Sequence, residues 1–370
     1  MIMQAFPDER ILMAHKKLFI PGPTEVHPDV LKAMSTPMIG HRSSDYSELQ
    51  KRLTEKVQKL ACTTNPILFS ASSGSGLMEG AIRCCTAKRA IVFSVGTFGN
   101  RWHEIAEGNG VPADKHEAEW GKGITSDVIE RYLSTGKYDC ATLTHSETST
   151  GVMNHLEELA AVFNRYSDIV WCIDAVSSFG GMKIDVDALG IDVMVTSSQK
   201  CLGLPPGLSL ATFSQKAEKR AGGVKNRGYY FDLLQLLKFI REKNFQYPST
   251  MSISHLFALD LQMDRIAKEG FEARFRRHDQ MAEMVQSWAK KHFALYPEEK
   301  YASKAVTCIK NTRGISVSDL NKELGKRNLM LSNGYGKLKD QTFRIAHMGD
   351  LQASDIRELL SAIEEILALK

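Results

Sequence analysis

Short apolar runs alternate with helical patterns along the first two thirds of the chain. Four of these runs end in polar or glycine-rich corners: PILF before SASSGSG, AIVFSV before GTFGNR, CATLTH before SETSTG, and IVWCID before AVSSFGG. Three of the four are followed directly by a helical pattern. Strands that alternate with helices indicate crossover connections, so we predict an α/β fold with a mostly parallel sheet covered by helices on both faces.

The pattern changes at about Ser254. Apolar positions then recur at helical spacing over a long stretch, and the short runs AVTCIK, NLMLS and QTFRIAH follow. Ser354 is a plausible N-cap for a last helix, because apolar residues repeat with the helical period at Ile356, Leu359, Leu360, Ile363, Ile366 and Leu367. We predict an N-terminal arm over residues 1–20, a large α/β domain over 21–253 and a small α+β domain over 254–370.

The composition is that of an ordinary soluble globular protein, with 43% hydrophobic and 24% charged residues among 370. A net charge of +4 gives no basis for a nucleic-acid or anionic-membrane surface. No apolar stretch approaches the roughly 20 residues that span a bilayer, and the start, MIMQAFPDER, lacks the order of a signal peptide. Seven cysteines without a CxxC pair indicate reduced thiols. We therefore expect a cytoplasmic protein.

The first corner that could carry chemistry is SSGSGLMEG, residues 72–80. Its small residues let backbone N–H groups approach an anion, and the helix that follows presents its positive end. The corner is therefore either a phosphate cradle or a plain glycine-rich turn. It is not a dinucleotide fingerprint, because Glu79 stands where the third glycine is required, and the chain contains no GxxxxGK[ST] P-loop.

Two charged residues stand at the ends of apolar runs. Asp174 closes IVWCID, where an ionised carboxylate needs a cationic or N–H partner unless it is a turn residue. Lys200 lies in TSSQKCLGLPPG between two apolar runs, so it is either a structural ion-pair partner or an amine whose pKa is lowered for nucleophilic and base catalysis. Together with a phosphate cradle, these are the protein groups that pyridoxal phosphate requires. Phe98 in GTFGNR could stack on its ring.

With these residues in place, the sequence resembles the class V (fold-type I) pyridoxal-phosphate-dependent aminotransferases, and most closely their alanine–glyoxylate/serine–pyruvate group. The resemblance covers nearly the whole chain and is carried by PGPTEV, SGSG, TFGNR, THSETSTGV, IDAVSSFGG, SSQK, QYPST and FRIAHMG. It implies that Lys200 forms the Schiff base and Asp174 contacts the pyridine nitrogen. It also implies cofactor contacts for Ser75, Gly76, Leu77, Phe98, Ser149, Val176 and Gln199.

Two further motifs imply a shared site. QYPST resembles a segment whose tyrosine and threonine, here Tyr247 and Thr250, reach the cofactor phosphate of the neighbouring subunit. FRIAHMG resembles a motif whose arginine, here Arg344, binds the substrate α-carboxylate, and a planar guanidinium suits a carboxylate. The resemblance therefore implies a homodimer and a ping-pong transaminase without a metal, in which an amino acid gives its nitrogen to a 2-oxo acid.

The substrate pair that the sequence favours is small and neutral: alanine or serine with glyoxylate or pyruvate. His41-Arg42 resembles a pair that phosphoserine aminotransferases direct at the substrate phosphate, so phosphoserine or aspartate with 2-oxoglutarate is the alternative. Arg42 could instead pair with a carboxylate or cap a helix. A cysteine desulfurase would carry histidines where Gln199 and Phe98 stand, and a nicotinamide-dependent dehydrogenase gives Lys200 no role.

Overall fold

The computed structural model describes residues 15–369. Residues 1–14 of the predicted N-terminal arm, with the MIMQAFPDER start, lie outside this range. The strands are β1 (Lys17–Phe19), β2 (Ile67–Ser70), β3 (Ala90–Ser94), β4 (Ala113–Glu117), β5 (Cys140–Thr144), β6 (Ser146–Glu147), β7 (Val152–Met153), β8 (Val170–Asp174), β9 (Val193–Ser197), β10 (Ser209–Thr212), β11 (Ala294–Leu295), β12 (Val306–Lys310), β13 (Leu329–Asn333) and β14 (Thr342–Ala346).

The α-helices are α1 (Pro28–Ala33), α2 (Ser44–Ala61), α3 (Gly74–Cys85), α4 (Thr97–Gly108), α5 (Ser126–Leu133), α6 (Leu156–Phe163), α7 (Val186–Leu189), α8 (Gln215–Gly222), α9 (Leu233–Glu242), α10 (Ile253–Glu269), α11 (Phe271–His292), α12 (Val317–Lys326) and α13 (Ala353–Leu367). Within residues 15–369, none of these helices is long and apolar enough to cross a membrane.

The larger sheet has seven strands in the order β2-β10-β9-β8-β5-β3-β4. All of them run parallel except β10, which is antiparallel to both of its neighbours. The four predicted strand runs become β2, β3, β5 and β8, so the predicted mostly parallel sheet is confirmed. The register aligns Thr144 with Asp174 and Asp174 with Val195. The carboxyl ends of β5, β8 and β9 therefore form one edge, where ligands bind in such sheets.

The smaller sheet has five strands in the order β1-β13-β14-β12-β11. Its outer strand, β1, pairs in parallel with β13, which lies near the other end of the sequence. Phe19 of β1 is fully buried in the core that this sheet forms with α11, α12 and α13. Residues 17–19 therefore belong structurally to the C-terminal sheet, a pairing that the predicted division of the chain did not include.

The last helix begins earlier than predicted. Gln352, not Ser354, is its N-cap, because the Gln352 side chain accepts from the backbone of Asp355 while the Asp355 carboxylate accepts from the Gln352 N–H at 2.8 Å. This reciprocal capping box satisfies two backbone N–H groups, whereas the side chain of a single serine N-cap would satisfy only one. The predicted apolar stripe is confirmed by its buried residues, Ile356, Leu359, Leu360 and Ile363.

A buried arginine connects α11 to loops that follow strands of both sheets. The Arg274 side chain is 1% exposed and bonds to the carboxylates of Glu269 at 2.9 Å and Asp350 at 3.0 Å. Its other nitrogens donate to the carbonyl oxygens of Gly180 at 2.7 Å and Cys201 at 2.8 Å. Because Cys201 follows Lys200 directly, this network fixes the backbone that carries the lysine.

Candidate active site

A cavity of about 240 Å³ lies at the carboxyl edge of the larger sheet, between the first turns of α3 and α4. The polar corners that follow β2, β3, β5, β8 and β9 all contribute to it, because parallel strands bring their carboxyl ends together. It is lined by Ser73, Gly74, Ser75, Met78, Phe98, Arg101, Thr148, Asp174, Val176, Ser177, Ser197, Gln199 and Lys200.

Lys200 is held in the wall of this cavity with 9% of its surface exposed. Its Nζ donates to the carbonyl oxygen of Pro21, and Thr24 Oγ1 donates to the Lys200 carbonyl at 3.0 Å. Gly22 leaves room for the lysine stem, since a Cβ at that position would lie 2.7 Å from Lys200 Cδ. Among residues 15–369, no carboxylate lies within ion-pair distance of the amine. Burial and the charge of Arg344 lower the pKa of Lys200 to about 8, so an appreciable fraction of the amine is neutral and nucleophilic near neutral pH.

Asp174 ends β8 at the bottom of the cavity and is 4% exposed. Its Oδ1 accepts the Val176 N–H at 2.8 Å, and no donor from residues 15–369 contacts its other oxygen. Burial raises the pKa of Asp174 to about 6, against the opposing effect of the Val176 N–H. A buried carboxylate with one free oxygen facing a cavity is suited to a cationic N–H donor.

The first turn of α3 provides an anion-binding corner. Its N-cap, Ser73, makes no side-chain capping bond. Gly74 permits close approach of the backbone, because a Cβ there would lie 2.6 Å from Val176 Cγ2. Nearby, Ser197 Oγ and Gln199 Oε1 are buried without a protein partner in the described residues. The Ser197 hydroxyl and the helix N-terminus are donors that fit a phosphate, whereas Gln199 would have to present its amide N–H₂ group, because an amide oxygen only accepts. Ser75 lines the cavity, whereas Gly76 and Leu77 lie behind it in the same turn.

Two apolar side chains provide the walls of the cavity. Phe98, in the first turn of α4, and Val176, after β8, both line it, as a planar ring between them would require. At the corner after β5, Thr148 lines the cavity, and its hydroxyl is bonded to that of Ser177 at 2.6 Å. Ser149 is fully buried and donates from Oγ to the Glu147 carboxylate at 2.6 Å. The contact of Ser149 with the ring edge therefore stays a prediction.

Arg344 on β14 approaches the same corner from the smaller sheet. Its Nη1 donates to the Thr148 carbonyl at 3.1 Å, and its Nε donates to the Asn333 carbonyl at 3.0 Å. The guanidinium is 7% exposed, and no carboxylate within residues 15–369 pairs with it. Burial lowers the pKa of Arg344, although an arginine stays charged at any ordinary pH. A buried, unpaired guanidinium next to the cavity is a binding group for a ligand carboxylate.

Tyr247 and Thr250 do not line this cavity. Tyr247 is buried beside Ser70 and Tyr230 of its own chain. Thr250 lies three residues further on and is exposed. Their contact with the cofactor of a neighbouring subunit therefore stays a prediction.

Arg42 is also placed away from the cavity. Its guanidinium donates to the carbonyl oxygens of Tyr247, Pro248 at 3.2 Å and Ser249 at 3.3 Å. It also lies over the Phe239 ring, with 5.7 Å between Cζ and the ring centroid. The structure thus uses Arg42 to hold the 247–249 backbone, and its contact with a substrate anion stays a prediction.

Several residues of the site were missed from the sequence, and three of them bear on its chemistry. Arg101 lines the cavity and lies over the Phe98 ring, 4.7 Å from Cζ to centroid. Its position three residues after Phe98 places both on one helix face, a signal that could have identified it. The Tyr335 ring lies 5.6 Å from that of Phe98 and 5.5 Å from Arg344 Cζ. No local pattern identifies Tyr335, because a distant loop brings it there. The third is Glu147, a buried acid in the SETSTG corner.

The arrangement fits pyridoxal phosphate on the contacts of the cavity itself. One pocket contains an amine with a lowered pKa, a buried carboxylate with a free oxygen, two apolar walls and an anion-binding helix end. Each of the four parts of the cofactor, which are its aldehyde, ring nitrogen, ring faces and phosphate, thus has a chemically matched protein group.

Comparison with known proteins agrees with this chemistry. The family profile described as "Aminotransferase class-V" matches residues 18–343. An uncharacterized aminotransferase of Methanocaldococcus jannaschii is 36% identical over 96% of this chain and 93% of its own length. A serine–glyoxylate aminotransferase of Arabidopsis thaliana is 31% identical over 95% of this chain and 90% of its own. The crystal structure of an alanine–glyoxylate aminotransferase from Nostoc sp. superposes with a TM-score of 0.90 at 26% identity, covering 99% of this chain and 98% of that one.

Proposed function

The chain belongs to the class-V aminotransferases, a family of pyridoxal-phosphate-dependent enzymes, and from that premise we propose that it moves the amino group of alanine or serine to glyoxylate or pyruvate. The observation that carries the proposal is the buried, unpaired Arg344 guanidinium beside a cavity that contains Lys200 and Asp174. The similarity to a serine–glyoxylate and an alanine–glyoxylate aminotransferase supports the substrate pair.

The catalytic roles follow from the positions of the side chains. Pyridoxal phosphate, when bound, supplies an aldehyde that condenses with amines and a ring that accepts electrons from a bond broken at the substrate α-carbon. Lys200 would be the covalent anchor and, once displaced by the substrate amine, the base that carries the proton from the substrate α-carbon to the cofactor's former aldehyde carbon. Asp174 keeps the ring nitrogen protonated. Arg344 holds the α-carboxylate, so the α-proton stays within reach of the lysine.

The remaining cofactor contacts are assigned by the same reasoning. The phosphate is bound by Ser75 and the Gln199 amide, with the N–H groups of Gly76 and Leu77 in the same helical turn. Phe98 and Val176 fix the plane of the ring, and the corner that carries Thr148 and Ser149 contacts its polar edge. The segment from Pro21 to Thr24 covers the lysine and limits the access of water to it.

We also propose a cytoplasmic homodimer. Thr250 is exposed and Tyr247 does not line the cavity of its own chain, as expected for residues that serve a second copy. All seven cysteines are free thiols, and six are buried, which suits a reducing compartment. Analytical ultracentrifugation tests the dimer, and a strictly monomeric active enzyme contradicts it.

The choice between small neutral and anionic donors rests on Arg42. Its hydrogen bonds to the 247–249 carbonyls leave it occupied, and this supports alanine or serine over phosphoserine or aspartate. The experiment is the absorbance spectrum of the purified protein with pyridoxal phosphate, before and after each donor is added alone. Alanine or serine should convert the band of the bound cofactor to that of its aminated form. Conversion by phosphoserine or aspartate alone would contradict the assignment.

The anchor is tested separately. Wild-type protein with bound cofactor should lose its colour on borohydride treatment and keep the cofactor covalently attached, whereas Lys200→Ala should retain none after denaturation. Covalent attachment in Lys200→Ala would show that another amine is the nucleophile.

A further inference from the structure

One buried acid, Glu147, contacts two corners of the site at once. Its Oε2 accepts the N–H groups of Phe98 and Gly99, each at 2.9 Å. Its Oε1 accepts the N–H of Ser149 at 3.0 Å and the Ser149 hydroxyl at 2.6 Å. The residue has no exposed surface. A side chain so placed joins the start of α4 to the corner after β5.

All four partners of Glu147 are donors. The Ser149 hydroxyl also accepts the Thr97 N–H at 3.0 Å, which turns its own proton toward the carboxylate. The start of α4, a helix of 12 residues, adds a positive partial charge. Burial raises the pKa of Glu147, and these hydrogen bonds oppose the rise. No described group accepts a proton from the acid, so the contacts select the ionised form.

The two corners that Glu147 joins carry functional groups in the proposed site. Phe98 gives a wall of the cavity, and Thr148, between Glu147 and Ser149, lines the cavity and gives the carbonyl that binds Arg344 at 3.1 Å. The fit around the acid is tight, because a Cβ on Gly96 would lie 2.6 Å from Glu147 Cγ. A shift of this carboxylate would move the wall and the carbonyl relative to each other.

We propose that Glu147 is a positioning residue, whose buried negative charge fixes Phe98 and the Thr148 carbonyl in one geometry for cofactor and substrate. This inference rests on the cofactor site proposed above. The charged groups around it are Asp174 on β8, Lys200 after β9, Arg344 on β14 and Arg101 on α4. Its charge adds to the effect of burial in raising the pKa of Asp174, and it opposes the lowering of the pKa values of Lys200 and Arg344 by burial, so it favours the protonated forms of these groups.

Glu147→Gln tests both the positioning of the two corners and the effect of the negative charge. The substitution keeps the shape of the side chain, removes its charge and turns an amide N–H₂ group toward two hydrogen-bond donors. Holoenzyme and apoenzyme are compared by cofactor titration, by the pH midpoint of the bound cofactor's absorbance change, and by thermal unfolding. The dissociation constant of pyridoxal phosphate should rise about tenfold or more, equivalent to ~1.4 kcal/mol. The pH midpoint should move downward, since a nearby anion that favours protonation is lost.

Asp139→Asn is the matched control. Asp139 is also a buried carboxylate that accepts backbone N–H groups, those of Ala87 at 3.0 Å, Lys88 at 2.9 Å and Arg89 at 3.1 Å, and it additionally pairs with Arg220 at 2.8 Å. It precedes β5 at the edge of the sheet opposite to the cavity. This variant should melt earlier, with an unchanged cofactor affinity and pH midpoint.

Three results would overturn the inference. The first is a Glu147→Gln protein with wild-type cofactor affinity and pH midpoint. The second is an equal loss of affinity in Asp139→Asn, which would reduce the effect to general destabilisation. If Glu147→Gln does not fold, the variant Ser149→Ala replaces it, because it removes one of the four hydrogen bonds to Glu147 and should weaken cofactor binding by a smaller factor. Unchanged cofactor binding in Ser149→Ala is the third result that would overturn the inference. A wild type that forms no coloured complex overturns the proposed function and this inference together.

Discussion

Replacing Arg274 by methionine should destabilise the protein strongly. Methionine keeps most of the side-chain volume but removes four hydrogen bonds, and it leaves the Asp350 and Glu269 carboxylates without their shared cation. Removing one partner of a buried ion pair costs about 3–5 kcal/mol. We expect the lower part of that range, because Asp350 keeps Gln262 at 3.1 Å and Glu269 keeps Arg277 at 2.6 Å.

The matched control is Arg241→Met. Arg241 pairs with Glu218 at 2.5 Å, but its side chain is 53% exposed, and exposed pairs contribute about 0.2–1 kcal/mol. Guanidinium unfolding of both variants and the wild type, followed by far-UV circular dichroism, gives the free energies of unfolding. A loss in Arg274→Met no larger than that in Arg241→Met would refute the reasoning from burial.

The same variant should change the pH dependence of stability. Burial alone would raise the pKa of Asp350, but the charge and hydrogen bond of Arg274 outweigh it and lower that pKa. The pKa of Glu269 is likewise lowered, against the effect of burial, by Arg277 and Arg274. Carboxyls with lowered pKa values stabilise the folded state above their unfolded pKa of about 4, and the contribution is lost as pH falls. The difference between wild type and Arg274→Met should therefore be largest near pH 7 and shrink below pH 4, as both carboxyls become protonated in the folded wild type.

Three further predictions concern the site and the buried histidines. Gly22→Ala should weaken cofactor binding and lower the free energy of unfolding by about 1–2 kcal/mol, because the φ of Gly22 is +99° and the new Cβ would lie 2.7 Å from Lys200 Cδ. Cofactor titration and thermal unfolding test this prediction. Wild-type values in both experiments would contradict it. Arg344→Lys should lower kcat/KM for the amino donor about 100-fold, or ~2.7 kcal/mol, because the planar fork is lost; steady-state kinetics with an unchanged kcat/KM would remove Arg344 from the carboxylate site. Burial lowers the pKa values of His145 and His347 to about 3. As the pH falls below the unfolded value of about 6.5, each histidine gains a proton in the unfolded chain only, so each should lower the free energy of unfolding by ~1.4 kcal/mol per pH unit. His347→Gln should flatten that slope by one histidine's share, and an unchanged slope in unfolding experiments would show that His347 titrates normally.

The sequence predicted the parts of the structure that depend on local pattern. The apolar runs gave the strands of the larger sheet, and the ends of those strands gave Asp174 and the helix start at Gly74. Parallel pairing explains the success, because it brings the carboxyl ends of separate strands to one edge and therefore gathers their corners.

Long-range contacts and side-chain directions could not be predicted in this way. A pattern does not tell which of two neighbouring hydroxyl residues lines a cavity: Thr148 does, whereas Ser149 bonds to Glu147. Tyr335 reaches Phe98 only because two sheets pack together, and nothing near it in sequence marks that contact. Gln352 was missed as a helix cap because its capping depends on a reciprocal bond with Asp355.

The pairing of β1 with β13 has a consequence for how the protein is made. Lys17–Phe19 leave the ribosome early, but their partners, Leu329–Leu331, are synthesised about 310 residues later. At the usual elongation rates this delay is roughly 15–60 s. The larger sheet lies wholly between them in sequence and can fold first. The segment that begins at Pro21 and covers Lys200 starts two residues after β1, so β1 can anchor that segment to the smaller sheet only when nearly the whole chain has emerged.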